Sequence, residues 1–405
     1  MPITYYLLPN TYFVEWEIAV REAADILPGG PEVLKSKGWD GFLEYYIGEG
    51  QFGPERYNLN GAKRLYYQLK PILPRSLVRM ARRNYRAHQE NNFPLNWPIE
   101  PRLVKFVRNI LEKNSKLSTI NDQLSSVNSD SESQSLIANC QLPIDNFKFP
   151  WPNGQHFAFV LTHDVETEKG LQCVKKLADI DAHHGFRSSF NFVPERYSVK
   201  PKLRSDLKER GFEIGVHGLK HDGKLFFSKE IFEKRVVRIN HYLKDWNAVG
   251  FRSPLTHRNP EWMQSLEIEY DSSFFDTDPY ETMPGGTMSI WPFFIGHFVE
   301  LPYTLPQDST LFITLGETSI DIWKRKLDWI AENQGMALVN VHPDYIDFED
   351  KGGKSRSGGG KYPLKFYLEL LDYVKNKGNY WHALPREVAR WWRSLSFLSI
   401  TTSAH

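Results

Sequence analysis

At 405 residues, with 41% hydrophobic and 24% charged residues, the chain has the make-up of a globular protein: room for one barrel-sized domain plus an additional segment. A formal net charge of +1 gives no electrostatic ground for a nucleic-acid partner, and two cysteines, Cys140 and Cys173, exclude a disulfide framework. No stretch approaches the ~20 apolar residues that span a bilayer. The first residues lack a basic stretch followed by an apolar run, so the expectation is a cytoplasmic protein without a signal peptide.

Residues 1–113 show short helical or strand-like patches without one period, and the reading is an accessory region, mostly helical. Within it, residues 75–86 mix Arg75, Arg79, Arg82, Arg83 and Arg86 with Leu77, Val78 and Met80. Such a basic amphipathic helix either packs on the rest of the protein with its arginines solvated, or lies on the inner face of an anionic membrane. Residues 114–148 contain a Ser/Asn/Asp-rich tract that reads as a linker, partly disordered.

From residue 149 to about 395 the pattern changes. Strand candidates at 157–164, 187–193, 212–218, 248–254, 269–275, 297–303 and 336–342 alternate with helical segments such as Lys169–His183, Lys229–Lys244, Ser319–Asn333 and Leu364–Lys377. Repeated strand–helix units predict an α/β fold, a distorted parallel (β/α) barrel of about seven strands, and 396–405 is left as a tail. The Gly-rich stretch Lys351–Lys361 is either a lid or a plain linker. Trp381, Trp391 and Trp392 read as core, and His183 and His184 as residues of a helix end.

Polar residues gather at the strand ends, which in a parallel barrel share one rim. His217 and His221, four apart on one turn, are candidate ligands of a single metal ion. Asp164 and Glu166 fall on one side of their strand by alternation; without the histidines, the reading of Asp164 as a mere helix cap would prevail. Arg252 can hold a carboxylate bidentately or form a structural ion pair at the barrel mouth. His342, ending an apolar strand, is either bonded to a backbone carbonyl or free to donate a proton, and Asp271 can orient such a histidine or cap its own strand.

The ordered set Thr162-His163-Asp164, His217-x-x-x-His221, Arg252-x-Pro254, Tyr270-Asp271-Ser272-Ser273 and Leu338-Val-Asn-Val-His342 resembles the motifs of the polysaccharide deacetylases, over about 240 residues. The resemblance implies a divalent metal, most often zinc, with cobalt or nickel as substitutes. It implies metal ligation by His217 and His221, Asp164 as general base held by Arg252, His342 as general acid, and Asp271 as its tuning partner. The sequence departs from the family where a second Asp should ligate the metal, because Val165 stands there. Either Glu166 takes the metal and Asp164 remains the base, the preferred register, or the two exchange roles. Gly218 replaces a hydroxyl residue common after the first histidine.

The implied activity is hydrolysis of an N-acyl group from an amino sugar, with a carbohydrate or glycolipid substrate from polysaccharide or glycoconjugate biosynthesis. A backbone N–H near Tyr303 is the expected aid to the oxyanion. The alternatives are hydrolysis of other non-peptide C–N bonds, such as cyclic amides, and a non-catalytic carbohydrate-binding scaffold.

Overall fold

The near-continuous apolar run Phe157–Val165 forms the longest strand, β1, and every residue of it is buried. Such a strand belongs in a parallel sheet covered on both faces. The computed structural model describes residues 20–59, 61–69, 91–111, 149, 151–349 and 360–401. In it, β1 pairs in parallel with β2 (Ser189–Phe192) through its C-terminal half and with β11 (Tyr380–His382) through its first residues. Along its other edge runs β8 (Met336–Asn340), also parallel.

Beyond β2 the sheet continues in parallel through β3 (Glu213–His217), β4 (Gly250–Arg252), β5 (Tyr270–Asp271) and β7 (Phe298–Glu300); β6 (Phe293–Ile295) then adds antiparallel to β7. The curl returns to β8 without a regular ladder. Leu305 N–H donates to the Leu338 carbonyl at 3.0 Å. The Thr304 hydroxyl bridges the rest, donating to the Met336 carbonyl at 2.6 Å and accepting Leu338 N–H at 2.8 Å. The architecture is the expected α/β type, a distorted parallel (β/α) barrel.

All the expected strands are present, most of them trimmed at the ends. Four were not foreseen: β6, β11 and the pair β9 (Ile346–Asp347) and β10 (Tyr362–Pro363), which form a small parallel sheet of their own; at two or three residues each they are too short to show a period. The helical segments fall where the amphipathic pattern put them. Glu168–His183 starts at Thr167, whose hydroxyl accepts Gly170 N–H, and Lys229–Asp245 starts at Ser228, which accepts Ile231 N–H. His184 caps the first of these, its Nδ1–H donating to the Ile180 carbonyl at 2.9 Å. Beneath the barrel, Phe149 stacks on Trp392 and Trp151 stacks on Trp391, while the indoles of Trp151 and Trp291 both donate to the Gln334 carbonyl.

The N-terminal region supplies α1 (Gly30–Ile47, bent at Gly38 with φ 72°), α2 (Gly61–Leu69) and a helical stretch at 102–111. Its Phe42, Tyr46, Leu103 and Phe106 belong to the same hydrophobic cluster as the barrel interior. The basic segment 75–86, the tract 114–148 and most of the Gly-rich stretch lie outside the described residues. None of the described helices is long and apolar enough to cross a membrane.

Behind the rim, two carboxyls share a buried site: Asp271 and Glu300, both fully inaccessible. Glu300 accepts the N–H groups of Ser273 and Phe274, each at 3.1 Å, and Asp271 accepts the Ser273 hydroxyl at 2.8 Å. Burial first, and then the neighbouring Asp271, push the Glu300 carboxyl well above the carboxylate range. A carboxyl raised in the folded state favours folding below its unfolded pKa, and that contribution disappears as pH rises through the folded value. Wild-type stability, measured by urea unfolding, should therefore fall relative to Glu300→Gln by roughly 1.4 kcal/mol per pH unit over that window. A constant difference between pH 5 and pH 9 would show that the pair does not titrate.

Candidate metal centre and catalytic groups

The rim is organised by Asp164, near the end of β1 and 2% exposed. Its Oδ1 accepts from Asn191 Nδ2 at 2.9 Å and from Arg252 Nη1 at 3.2 Å; its Oδ2 accepts from Asn340 Nδ2 at 3.0 Å and faces the Tyr303 hydroxyl at 3.4 Å. Burial disfavours its charge, but Arg252, His217 and His342 outweigh that, holding the carboxyl well below its ordinary value. Asp164 is therefore ionised at neutral pH. Arg252 does not clamp it bidentately as expected from the sequence. The guanidinium instead divides its donors among Asp164, Thr162 Oγ1, Asn340 Oδ1 and both oxygens of Ser272, and lies 4.4 Å from the Tyr303 ring centroid.

Val165 is completely buried in the core, so the position the family fills with a second carboxylate points away from the rim. Glu166, one residue on, lies at the rim instead. Ligand atoms of Glu166, His217 and His221 all lie within 4.8 Å of one another. His217 faces β4 in register with Arg252, and its Nδ1 donates to the Arg252 carbonyl at 3.1 Å, which leaves Nε2 bare toward the site, 3.9 Å from Asp164 Oδ2. Burial pushes its imidazole down to about 4, so it is neutral, the form that ligates. His221 Nε2 is buried with no hydrogen-bond partner among the described residues; it sits 3.1 Å from Glu166 Oε1, out of hydrogen-bonding line. Two imidazole nitrogens and a carboxylate oxygen converging on one place suit a divalent cation.

The two histidines are not on a helical turn, as their spacing suggested. The chain reverses through Gly218 (φ 59°) and His221 itself sits at φ 52°. A Cβ at residue 218 would come within 2.4 Å of the Pro254 ring, so both conformation and space require glycine there. This accounts for the missing hydroxyl residue.

Residues after β8 supply the rest. His342 Nδ1 lies 2.6 Å from Asp308 Oδ1, and its backbone N–H donates to Asp308 Oδ2 at 2.8 Å. Burial works against the imidazolium, yet Asp308 prevails and lifts the group to about 10. His342 is thus a protonated donor at neutral pH, its Nε2 3.3 Å from Asn340 Nδ2. Asp271 does not have the tuning role assigned to it from sequence: it is occupied with Glu300 and Ser273, and Asp308 occupies that place. Nor is the Tyr303 N–H available to an oxyanion, because it donates to the Phe274 carbonyl at 2.8 Å. The Tyr303 hydroxyl faces the rim instead.

Asn340 and Asn191 were findable. Alternation puts Asn340 on the His342 side of its strand, and Asn191 pairs in register with Asp164. Asp308 carried no sequence signal, since it precedes an irregular π-type segment, Ser309–Leu315. Tyr345 and Asp344 were also missed: the Tyr345 hydroxyl donates to Glu166 Oε2 at 2.7 Å, and Asp344 Oδ2 accepts Glu166 N–H at 2.9 Å.

Two outcomes follow. Tyr345→Phe should weaken zinc binding about 10- to 100-fold, measured by competition with a chromogenic chelator, because the ligand carboxylate loses its orienting bond. Asp308→Asn should lower the pKa of His342 and move the alkaline limb of the rate profile from near 10 toward neutrality, read from kcat against pH.

No family model matches the sequence, and no curated protein matches it. Solved structures similar to the chain include a Pseudomonas aeruginosa PAO1 protein described as a polysaccharide deacetylase, at 14% identity and a TM-score of 0.48, covering 60% of this chain and 93% of that one. A Mycobacterium smegmatis protein with the same description aligns at 18% identity and a TM-score of 0.46, covering 61% and 93%. An allantoinase aligns at 14% identity and a TM-score of 0.47, covering 60% and 92%. The chain is similar in structure to proteins described as polysaccharide deacetylases.

Proposed function

We propose that this protein hydrolyses an N-acyl group from an amino sugar, with a divalent cation, zinc foremost, held by Glu166, His217 and His221. The observation that carries the reading is the juxtaposition of these three converging ligands with an ionised Asp164 and a protonated His342 at one barrel rim. A bound cation supplies Lewis acidity, polarising the acyl carbonyl and acidifying water. The register in which Glu166 ligates and Asp164 is the base is supported by their partners: Asp164 is surrounded by neutral and cationic donors, Glu166 by His221 and Tyr345.

Asp164 accepts the proton of the attacking water as its oxygen bonds to the acyl carbon. Arg252, Asn191 and Asn340 hold the carboxylate in the orientation and charge state this needs. His342 then donates its Nε2 proton to the departing nitrogen, the C–N bond breaks, and carboxylate and amine leave. Asp308 stabilises the imidazolium before that transfer. The sugar character of the substrate rests on the motif order, as does a place in polysaccharide or glycoconjugate biosynthesis.

The test pairs metal content with acetate release from a panel of N-acetylated sugars, a cyclic ureide serving as comparator. Asp164→Asn should cut kcat by at least 100-fold while zinc is retained, whereas Glu166→Gln should lose zinc. The reverse pattern would exchange the two roles, and undiminished turnover in His217→Ala would reject the site.

A further inference from the structure

The metal-binding histidines are backed by a strap of chain, residues 252–258. Its first carbonyl, that of Arg252, orients His217; Pro254 packs against Gly218; Pro254 and His257 flank a small cavity beside His221. In the middle of this strap Leu255 and Thr256 both adopt left-handed backbone, at φ 61° and 52°. Two consecutive non-glycine residues in that region persist only if their surroundings fix them. Arg258 does part of this, donating from Nη1 to the Thr256 carbonyl at 3.0 Å.

Arg258 is 1% exposed, and its partner comes from the N-terminal region: Glu49, also 1% exposed, accepts from Nε at 2.9 Å and from Nη2 at 2.5 Å. Glu49 itself sits at φ 60°, so the chain tolerates left-handed backbone to place that carboxylate. The pair lies hard against a second loop, 276–286. Arg258 Nη1 also donates to the Met283 carbonyl at 3.1 Å, and a Cβ at Gly285 would fall 1.9 Å from Arg258 Nη2 and 2.1 Å from Glu49 Oε1. Two more bonds tie this loop to the N-terminal region: Gln51 Nε2 to the Gly286 carbonyl at 2.6 Å, and Thr277 Oγ1 to the Asn96 carbonyl at 2.7 Å. From the loop, Glu281 accepts Gln307 Nε2 at 3.0 Å, and Gln307 Oε1 accepts Asn340 Nδ2 at 2.9 Å, the same amide that bonds Asp164.

We infer that the N-terminal region is an integral part of the reaction site, in which the buried Glu49–Arg258 pair is a positioning device that fixes the strap behind His217 and His221 and the loop that ends the Asn340–Gln307–Glu281 chain. Neither residue touches the reacting atoms; both act through backbone they hold. The inference rests on the metal-hydrolase reading only for its catalytic consequence.

The experiment uses the full chain with Glu49→Leu/Arg258→Met, which removes both charges together so that neither is left buried and unpaired. Melting temperature should stay near wild type, while the zinc dissociation constant rises at least 10-fold and amide hydrogen exchange accelerates at 253–258 and 276–286. Arg108→Ala, which removes an N-terminal contact to the Glu332 carbonyl remote from the strap, should leave zinc affinity and exchange unchanged. Should the double variant fail to fold, Glu49→Gln, which keeps the shape, must show the same shifts in smaller measure. A folded variant with wild-type zinc affinity and wild-type exchange overturns the inference. If the wild-type protein itself binds no zinc, the functional reading fails, and exchange at 253–258 alone decides whether Glu49 holds the strap.

Discussion

A negative charge at Asp164, almost wholly removed from water, is the constraint to which the rest of the rim conforms. Moving a carboxylate into a protein interior costs several kcal/mol unless cations and donors surround it. Asn191, Arg252, Asn340 and the Tyr303 hydroxyl do so, each from a different element. Arg252 is itself buried and must be satisfied in turn, which accounts for its bonds to Thr162 and Ser272 and for the placement of the Tyr303 ring beneath it. The twist and curl of the sheet are what bring β1, β2, β4 and β8 to one carboxylate.

The tail of β8 has a double role. Asn340 reaches Asp164, His342 follows it at the rim, and the next turn sends Asp344 and Tyr345 back to Glu166. The imidazole held by Asp308 and the groups that hold Glu166 therefore lie within four consecutive residues, 342–345. Val165 turns into the core, and this turn grips the carboxylate one residue further on, that of Glu166. Gly170 leaves room for it, since a Cβ there would lie 2.1 Å from Asp344 Oδ2.

Much of the barrel was legible in sequence because its strands are long enough to carry β-branched and aromatic runs between amphipathic helices. His217, Asp164, Arg252 and His342 were legible because they fall at the ends of such runs, and His221 through its spacing from His217. What escaped has a physical reason in each case. Asp308 enters from a π-type segment with no strand or α-helical period, so Asp271, which stands on a recognisable strand, was mistaken for it. The mode of bringing His217 and His221 together was misread because a four-residue spacing suits a helical turn, whereas left-handed backbone at Gly218 and His221 achieves the same approach. The link between Glu49 and Arg258 spans more than two hundred positions and leaves no local trace.

The irregular return from β7 to β8 has its own consequence. Where a ladder would have run, one backbone bond from Leu305 and the hydroxyl of Thr304, which bridges two backbone groups, are what reach β8. A regular strand at this seam would point alternate side chains inward and outward and commit its amides to its neighbour. Freed from that pairing, the chain just past the seam turns Gln307 and Asp308 edge-on to the last residues of β8. The carboxylate that holds the His342 imidazole is thus lodged in an unzipped joint of the barrel.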